Sequence, residues 1–352
     1  MNIKKNTFEG YYLDLPEDDL SSILFEVNSW EQLRNKNIFI SGATGFVGKW
    51  ILSSLLYVNS KLSLDVEIYI LSRNSKNFLT SFPDIKNYTN INWVDGNIRD
   101  FSLNESINID FAIHAAADVA SQRLAIDIFD DCYIGTKNLM QNLSSAGCTR
   151  ILLLSSGAVY GDLSGSIDSV SENYNGAPNT MMASSAYGEG KRASELVSSI
   201  FAYECGMSIS VARCFAFVGP YLPLDKHFAI GNFILNALHN EPIIIKGDGT
   251  PMRSYLYSSD LTIWLWTILF SGKNLTAYNV GGNDPLSIKN LAKKVVRVIN
   301  SKSQIIVKKP NNKKKNVQKY YPDLSFTKNE LNLKQNINLD SAILKTARFN
   351  NN

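Results

Sequence analysis

The chain has 352 residues, 45% of them hydrophobic and 19% charged, which excludes a mostly disordered chain and allows one large core or two ordinary ones. Lys+Arg 35 against Asp+Glu 32 leaves a formal charge of +3, too even a balance to make nucleic acid or an anionic membrane the main partner. The four cysteines (Cys132, Cys148, Cys205, Cys214) are scattered, with no CxxC or Cys/His cluster, so neither a disulfide framework nor a metal site is expected.

Residues 1–36 mix acidic and apolar positions and read as an N-terminal helical extension, with one amphipathic helix over Leu20–Leu33. The start has no apolar run of the signal-peptide kind, which predicts a reduced, cytoplasmic protein. From Asn37 onward short apolar runs read as strands: Asn37–Ser41, Asp65–Ser72, Ile91–Val94, Phe111–His114, Arg150–Leu154 and Ser208–Arg213. Helix-patterned segments such as Val47–Leu56 separate most of them, and this alternation predicts an α/β fold with a parallel sheet covered on both faces. Ser164–Ser184 reads as a loop. Beyond Arg213 the rhythm breaks into a helix over Phe228–His239, a short strand over Pro242–Ile245 and a buried helix over Leu261–Phe270. That helix, the densest apolar run, is about half the length needed to cross a bilayer. Lys308–Lys319, with its Lys313–Lys315 run, reads as a solvated basic loop, and Leu339–Phe349 as a last helix.

Three patterns carry chemistry. Gly42, Gly45 and Gly48 stand between the first strand and the first following helix, with Thr44, Phe46 and Val47 among them. A tight turn that lets backbone approach a pyrophosphate, opening onto a helix N-terminus, is how a dinucleotide is held. Ser72, Arg73 and Asn74 close the second strand, where a carboxylate would select NAD. Arg73 can instead pair with a 2′-phosphate, which predicts NADP(H), with NAD the alternative; a surface arginine, or one stacked on adenine, is the bland option. Tyr187 and Lys191 are spaced to share one helix face, and an ammonium beside a phenol lowers its pKa toward useful acid–base chemistry. Ser156, at the end of the strand beginning near Arg150, can hold the reacting oxygen and share its proton with Tyr187; otherwise it is a strand-end cap. His114 reads as a packed, hydrogen-bonded core residue rather than a base, and Trp264 and Trp266 as core.

With GATGFVG at 42–48, HAAA at 114–117, SSGAVYG at 155–161 and YGEGK at 187–191, the sequence resembles the extended short-chain dehydrogenase/reductases that act on nucleotide sugars. The likeness continues in RCFAFVGP at 213–220, KGDGTPMRSYLY at 246–257 and Tyr321–Phe349. It implies a Rossmann doubly wound domain over 37–215, with a returning segment near 255–280. It also implies a smaller C-terminal domain for the nucleoside-diphosphate sugar, over 216–254 and 281–352. By the same resemblance Ser156, Tyr187 and Lys191 are catalytic, Asn97 and Ile98 flank the adenine, Ala115, Ala116 and Ala117 line the cofactor, and Arg253 contacts the diphosphate. It implies a homodimer too.

The departures narrow the chemistry. Relatives that dehydrate dTDP-glucose carry an Asp–Glu pair directly after the catalytic hydroxyl residue, and Gly157 and Ala158 stand there, unable to move a proton. Cys132 replaces a customary asparagine of the fourth helix. Ala216 replaces the asparagine of the RxxN segment, leaving substrate orientation to groups such as His227 or Asn232. The expected activity is NADP(H)-dependent reduction of a 4-keto-6-deoxy sugar nucleotide at C4, feeding surface polysaccharide synthesis. A nucleotide-sugar 4-epimerase with retained NAD is the alternative, a 4,6-dehydratase the third, and a dinucleotide-binding redox sensor the non-enzymatic option.

Overall fold

The computed structural model describes residues 13–116, 123–163, 168–226, 228–309 and 317–351; Ala117, His227 and the Lys313–Lys315 run lie outside the described residues. One sheet holds seven parallel strands: β1 (Asn37–Ser41), β2 (Glu67–Ser72), β3 (Ile91–Asp95), β4 (Phe111–His114), β5 (Arg150–Ser156), β6 (Ser208–Cys214) and β7 (Thr276–Val280). Their order is β7-β6-β5-β4-β1-β2-β3. Strands such as Ile38–Ile40 and Ile151–Leu154 are apolar without a break because both faces are covered, as the alternating sequence requires. Residues of each strand divide between two cores. Ile38, Ile40, Leu152 and Leu154 face one side with α2 (Phe46–Leu62) and α7 (Ser258–Ser271). Phe39, Ala112, Ile151 and Ile209 face the other, with α4 (Ala125–Ser145) and α5 (Ala186–Cys205). Strand order reverses between β1 and β4, which leaves a crevice beyond the carboxyl ends of those strands.

Expectation and structure differ at several elements. The N-terminal helix, α1 (Glu17–Glu26), ends at Val27, whose extended backbone leads through Asn28 and Ser29 into a separate 3-10 turn over Trp30–Leu33. Asn and Ser hydrogen-bond locally in preference to continuing a helix, so the single helix over Leu20–Leu33 is broken there. The last strand, β7, was not expected: its apolar run is interrupted by Asn279, which is fully buried. Among the described residues no helix is long and apolar enough to cross a membrane.

After β6 the chain builds a second layer over the carboxyl edge of the sheet. α6 (Ala229–Leu238), α8 (Ile288–Ile299) and α10 (Leu339–Asn351) pack on one another. Short strands Met252–Arg253, Leu286–Ser287 and Lys319–Tyr320 form a small sheet beside them. α7 returns to the main sheet, with Trp264 and Trp266 fully buried and Trp266 Nε1 donating to Ser54 Oγ at 2.9 Å.

Candidate active site

The crevice at the strand reversal is a cleft of about 400 Å³. Gly42, Thr44, Gly45, Phe46, Val47, Gly48, Arg73, Asn97, Ile98, Ala115 and Ala116 line it, as the sequence predicts; Leu71, Ser72, Gly96, Asp131, Pro223 and Phe228 complete the wall. Two of the glycines are demanded by geometry. Gly42 has φ +79°, and a Cβ there would lie 2.7 Å from the Ala115 carbonyl carbon. A Cβ at Gly48 would lie 2.0 Å from Gly42 O. α2 begins at Phe46 with no side-chain cap, so its first N–H groups face the cleft end of the glycine turn without a resident acceptor. Bare backbone and an uncapped helix start fit the pyrophosphate of a dinucleotide, and Asn97 and Ile98 belong to the same cleft wall.

Asn74 does not join this wall. Its Oδ1 accepts from Asn77 N at 3.0 Å, capping α3 (Ser75–Ser81). An Asn at that position is therefore explained by the helix that follows it. Asp131, which sequence reasoning missed, sits in the wall and accepts from Arg99 Nε at 2.6 Å and from Arg123. His114 closes β4 behind the cleft, with Nδ1 2.8 Å from Ser41 Oγ and Nε2 3.1 Å from Thr136 Oγ1. Burial, with Lys191 nearby, holds its pKa down at about 3, so it is neutral and structural.

Ser156, Tyr187 and Lys191 lie outside the cleft lining, on the next strand and its covering helix. Successive turns of α5 engage successive residues of β5. Lys191 Nζ donates to Leu154 O at 2.7 Å, and Glu195 accepts from Ser155 Oγ at 2.5 Å. At the strand end the Ser156 hydroxyl stands beside the Tyr187 phenol, while Ser156 Oγ accepts from Ala158 N at 3.1 Å. The structure thus brings together the three residues named from sequence. Cys132 ties them to the cleft: it follows Asp131, and its Sγ lies 3.2 Å from where a Gly190 Cβ would be. Gly190 is what lets α5 approach α4 this closely.

The electrostatics differ from expectation. Burial pushes the Tyr187 phenol well above the ordinary tyrosine value, and the hydrogen bond with Ser156 only moderates this. The Lys191 ammonium donates to the Leu154 carbonyl, and burial lowers its own pKa. Tyr187 is a protonated phenol at neutral pH.

Further residues close the site from the second layer. The half-buried Tyr320 phenol stands near Ser156 as well. The Tyr320 ring centroid is 5.0 Å from that of Phe215, and the Arg253 guanidinium lies 5.1 Å above it. Arg253 Nη2 donates to Gln318 Oε1 at 3.0 Å, which aims the arginine along the small sheet. Ala216 presents only its carbonyl, accepting from Leu256 N at 3.0 Å. Asn232 Nδ2 is spent on Leu224 O at 2.6 Å and Lys226 O at 2.5 Å, so it braces a loop. Glu195 also accepts from Arg213 Nε at 3.0 Å and Nη2 at 2.8 Å, while Arg213 Nη1 donates to Tyr160 Oη at 3.0 Å. Tyr160 in turn donates to Asn279 Oδ1 at 2.8 Å. Glu195 stands two turns after Tyr187 on the face of Lys191, a spacing that could have marked it in the sequence. Tyr320 carries no such signal, since only folding brings it to Ser156.

A model of the NAD dependent epimerase/dehydratase family matches residues 38–281. The chain belongs to this family. It is 28% identical over 309 residues to UDP-glucuronic acid decarboxylase 5 of Arabidopsis thaliana, covering 87% of this chain and 86% of that protein. In shape it is similar to the UDP-glucose 4-epimerase of Thermotoga maritima, with TM-score 0.75 and 21% identity over 90% of this chain and 98% of the other. The dTDP-glucose 4,6-dehydratase of Bacillus anthracis, in complex with NAD, gives TM-score 0.72 and 19% identity over 90% and 96%. These likenesses bear out the Rossmann-like α/β sheet and the resemblance read from the motifs.

Proposed function

We propose that the chain is an oxidoreductase that transfers hydride at C4 of a nucleoside-diphosphate sugar, acting in the direction of net reduction of a 4-keto sugar. The observation that carries this proposal is the meeting of Tyr187 and Lys191, on one face of α5, with Ser156 at the end of β5. A bound nicotinamide dinucleotide supplies the hydride. Ser156 holds the keto oxygen through its hydroxyl, and Tyr187 gives its proton to that oxygen as charge develops. Lys191 keeps the strand end fixed through Leu154 O and places a positive charge beneath the site. Gly157 and Ala158 follow Ser156 with no group able to take a proton from carbon, so elimination of water is not supported. In this reading Arg253, whose guanidinium lies over the Tyr320 ring, takes the diphosphate. Arg73 in the cleft wall, with no carboxylate at the end of β2, supports NADP(H) as the dinucleotide.

A second possibility is a closed cycle that begins with oxidation at C4 and keeps NAD in place, as in epimerisation or decarboxylation. The family's NAD dependence and the relatives named UDP-glucuronic acid decarboxylases favour it. One experiment separates the two. A panel of UDP-, dTDP-, GDP- and CDP-sugars, UDP-glucuronic acid and 4-keto-6-deoxy derivatives is incubated with NADPH or NADH. Stoichiometric loss of reduced-cofactor absorbance supports net reduction; product without net cofactor change supports the cycle. Loss of NADH in preference to NADPH overturns the role of Arg73. Tyr133 and Ile134 on α4, with Leu196, Ile200 and Tyr203 on α5, are exposed apolar residues that support a homodimer, checked by light scattering.

A further inference from the structure

The residues ahead of β1 fall outside the stretch matched by the family model, yet they reach the dinucleotide cleft through one side chain. Leu13 and Asp14 have left-handed backbone, φ 52° and 51°, and so does Tyr221, φ 68°. None is glycine, and such conformations are disfavoured for residues with a Cβ unless surrounding contacts hold them. The strained segments meet at one hydrogen bond, Tyr221 Oη to Leu13 O at 2.5 Å.

The Tyr221 ring is packed from three other directions. Lys49 Nζ, on the residue after Gly48 of the phosphate loop, lies 4.4 Å from its centroid. Phe82 and Phe349 meet it edge-on at 5.8 and 4.9 Å. The residue before it is fastened to α2, since Trp50 Nε1 donates to Pro220 O at 3.0 Å. Pro223 and Phe228, just beyond, are the part of the cleft wall that faces the phosphate loop from the second layer. A Cβ at Gly231 would lie 2.9 Å from Pro223 O, so α6 backs this wall closely.

We propose that Tyr221 is a positioning residue for the dinucleotide. Anchored by the N-terminal segment, it fixes Pro223 and Phe228 of the cleft wall against the phosphate loop and sets how fast a bound dinucleotide leaves. The proposal rests on the cofactor site described above and adds a role for the N-terminal extension.

The test uses the full chain loaded with NADH and chased with excess NAD, and in parallel NADPH chased with NADP, following cofactor fluorescence by stopped flow. Tyr221→Phe keeps the ring and removes only the hydroxyl. The expected result is dissociation about five-fold faster, the worth of one neutral hydrogen bond, with faster amide exchange across residues 219–226. Phe349→Leu, which loosens the ring and leaves the hydroxyl, is expected to speed release by at least about two-fold and stands in should Tyr221→Phe fail to fold. Wild-type protein that binds the dinucleotide, with no faster release in either variant, overturns the role of Tyr221. Wild-type protein that binds neither NADH nor NADPH overturns the cofactor site itself, and the role with it.

Discussion

At Tyr187 the cost of burying a phenolate outweighs the hydrogen bond with Ser156, so the phenol keeps its proton through neutral pH. Reductive turnover is therefore expected to be flat between about pH 6 and 9, whereas the reverse oxidation rises with pH because it needs the phenolate. Tyr187→Phe is expected to lower kcat at least about 100-fold with little change in cofactor affinity, and steady-state kinetics beside a fluorescence titration check both parts. His114 gives a stability effect instead. Its folded pKa of about 3 lies below its unfolded value, so the unfolded chain binds the extra proton between these limits. Stability from this group falls as pH drops below about 6.5. His114→Gln is expected to shrink the loss of melting temperature between pH 7 and pH 5, measured by calorimetry. The residues legible in the sequence were those whose chemistry is local: Gly42 and Gly48 in one turn, Tyr187 and Lys191 on one helix face. The upward pKa of Tyr187 was not legible, because it depends on burial supplied by distant segments, Tyr320 among them.

α5 works as a positioning element because Lys191 and Glu195 grip consecutive residues of β5, and Arg213 closes the grip from β6. Glu195→Gln keeps the shape but weakens the paired contacts to Ser155 and Arg213. It is expected to lower kcat about 10-fold with dinucleotide affinity unchanged, since it acts on the geometry of Ser156 and Tyr187. In a Tyr187→Phe background the same change is expected to cost little more, and the double-mutant cycle is the measurement. The glycine turn has a sharper requirement. Gly48→Ala places a methyl group against Gly42 O and the Ala43 backbone, so α2 must shift; NADPH affinity is expected to fall more than about 10-fold by titration. Most parallel strands were readable as apolar runs because both faces are buried. β7 was not, since Asn279 interrupts it to serve Tyr160, Val170 O and Asp323 O. α8 was passed over although Leu291, Ala292 and Val295 mark a regular buried stripe between lysines.

Across the whole molecule residues 13–36 of the N-terminal extension are part of the core. Trp30 meets Trp266 edge-on at 5.0 Å, and Asp19, 2% exposed, accepts from Tyr257 Oη at 2.7 Å and Lys345 Nζ at 2.8 Å. Lys345→Met leaves that carboxylate buried with one donor. The expected loss is about 2 kcal/mol by urea unfolding, less than a fully buried pair because Lys345 is partly exposed. Neighbouring Asp260, whose carboxyl burial raises to about 6 while it accepts from Asn336 N and Ile337 N, adds the opposite pH slope to that of His114. Its folded state binds the proton more tightly, so its contribution falls as pH rises from about 4 to 6. Asp260→Asn is therefore expected to make melting temperature climb more steeply with pH over that range. The docking of α1 was the least legible part of the fold, because its partners lie at Tyr257 and Lys345, far along the chain. This separation bears on how the protein is made. During synthesis α1 emerges 326 residues or so before the lysine that neutralises Asp19. The helix waits undocked until Lys345 follows, and the Phe349 ring that packs on Tyr221 arrives with it.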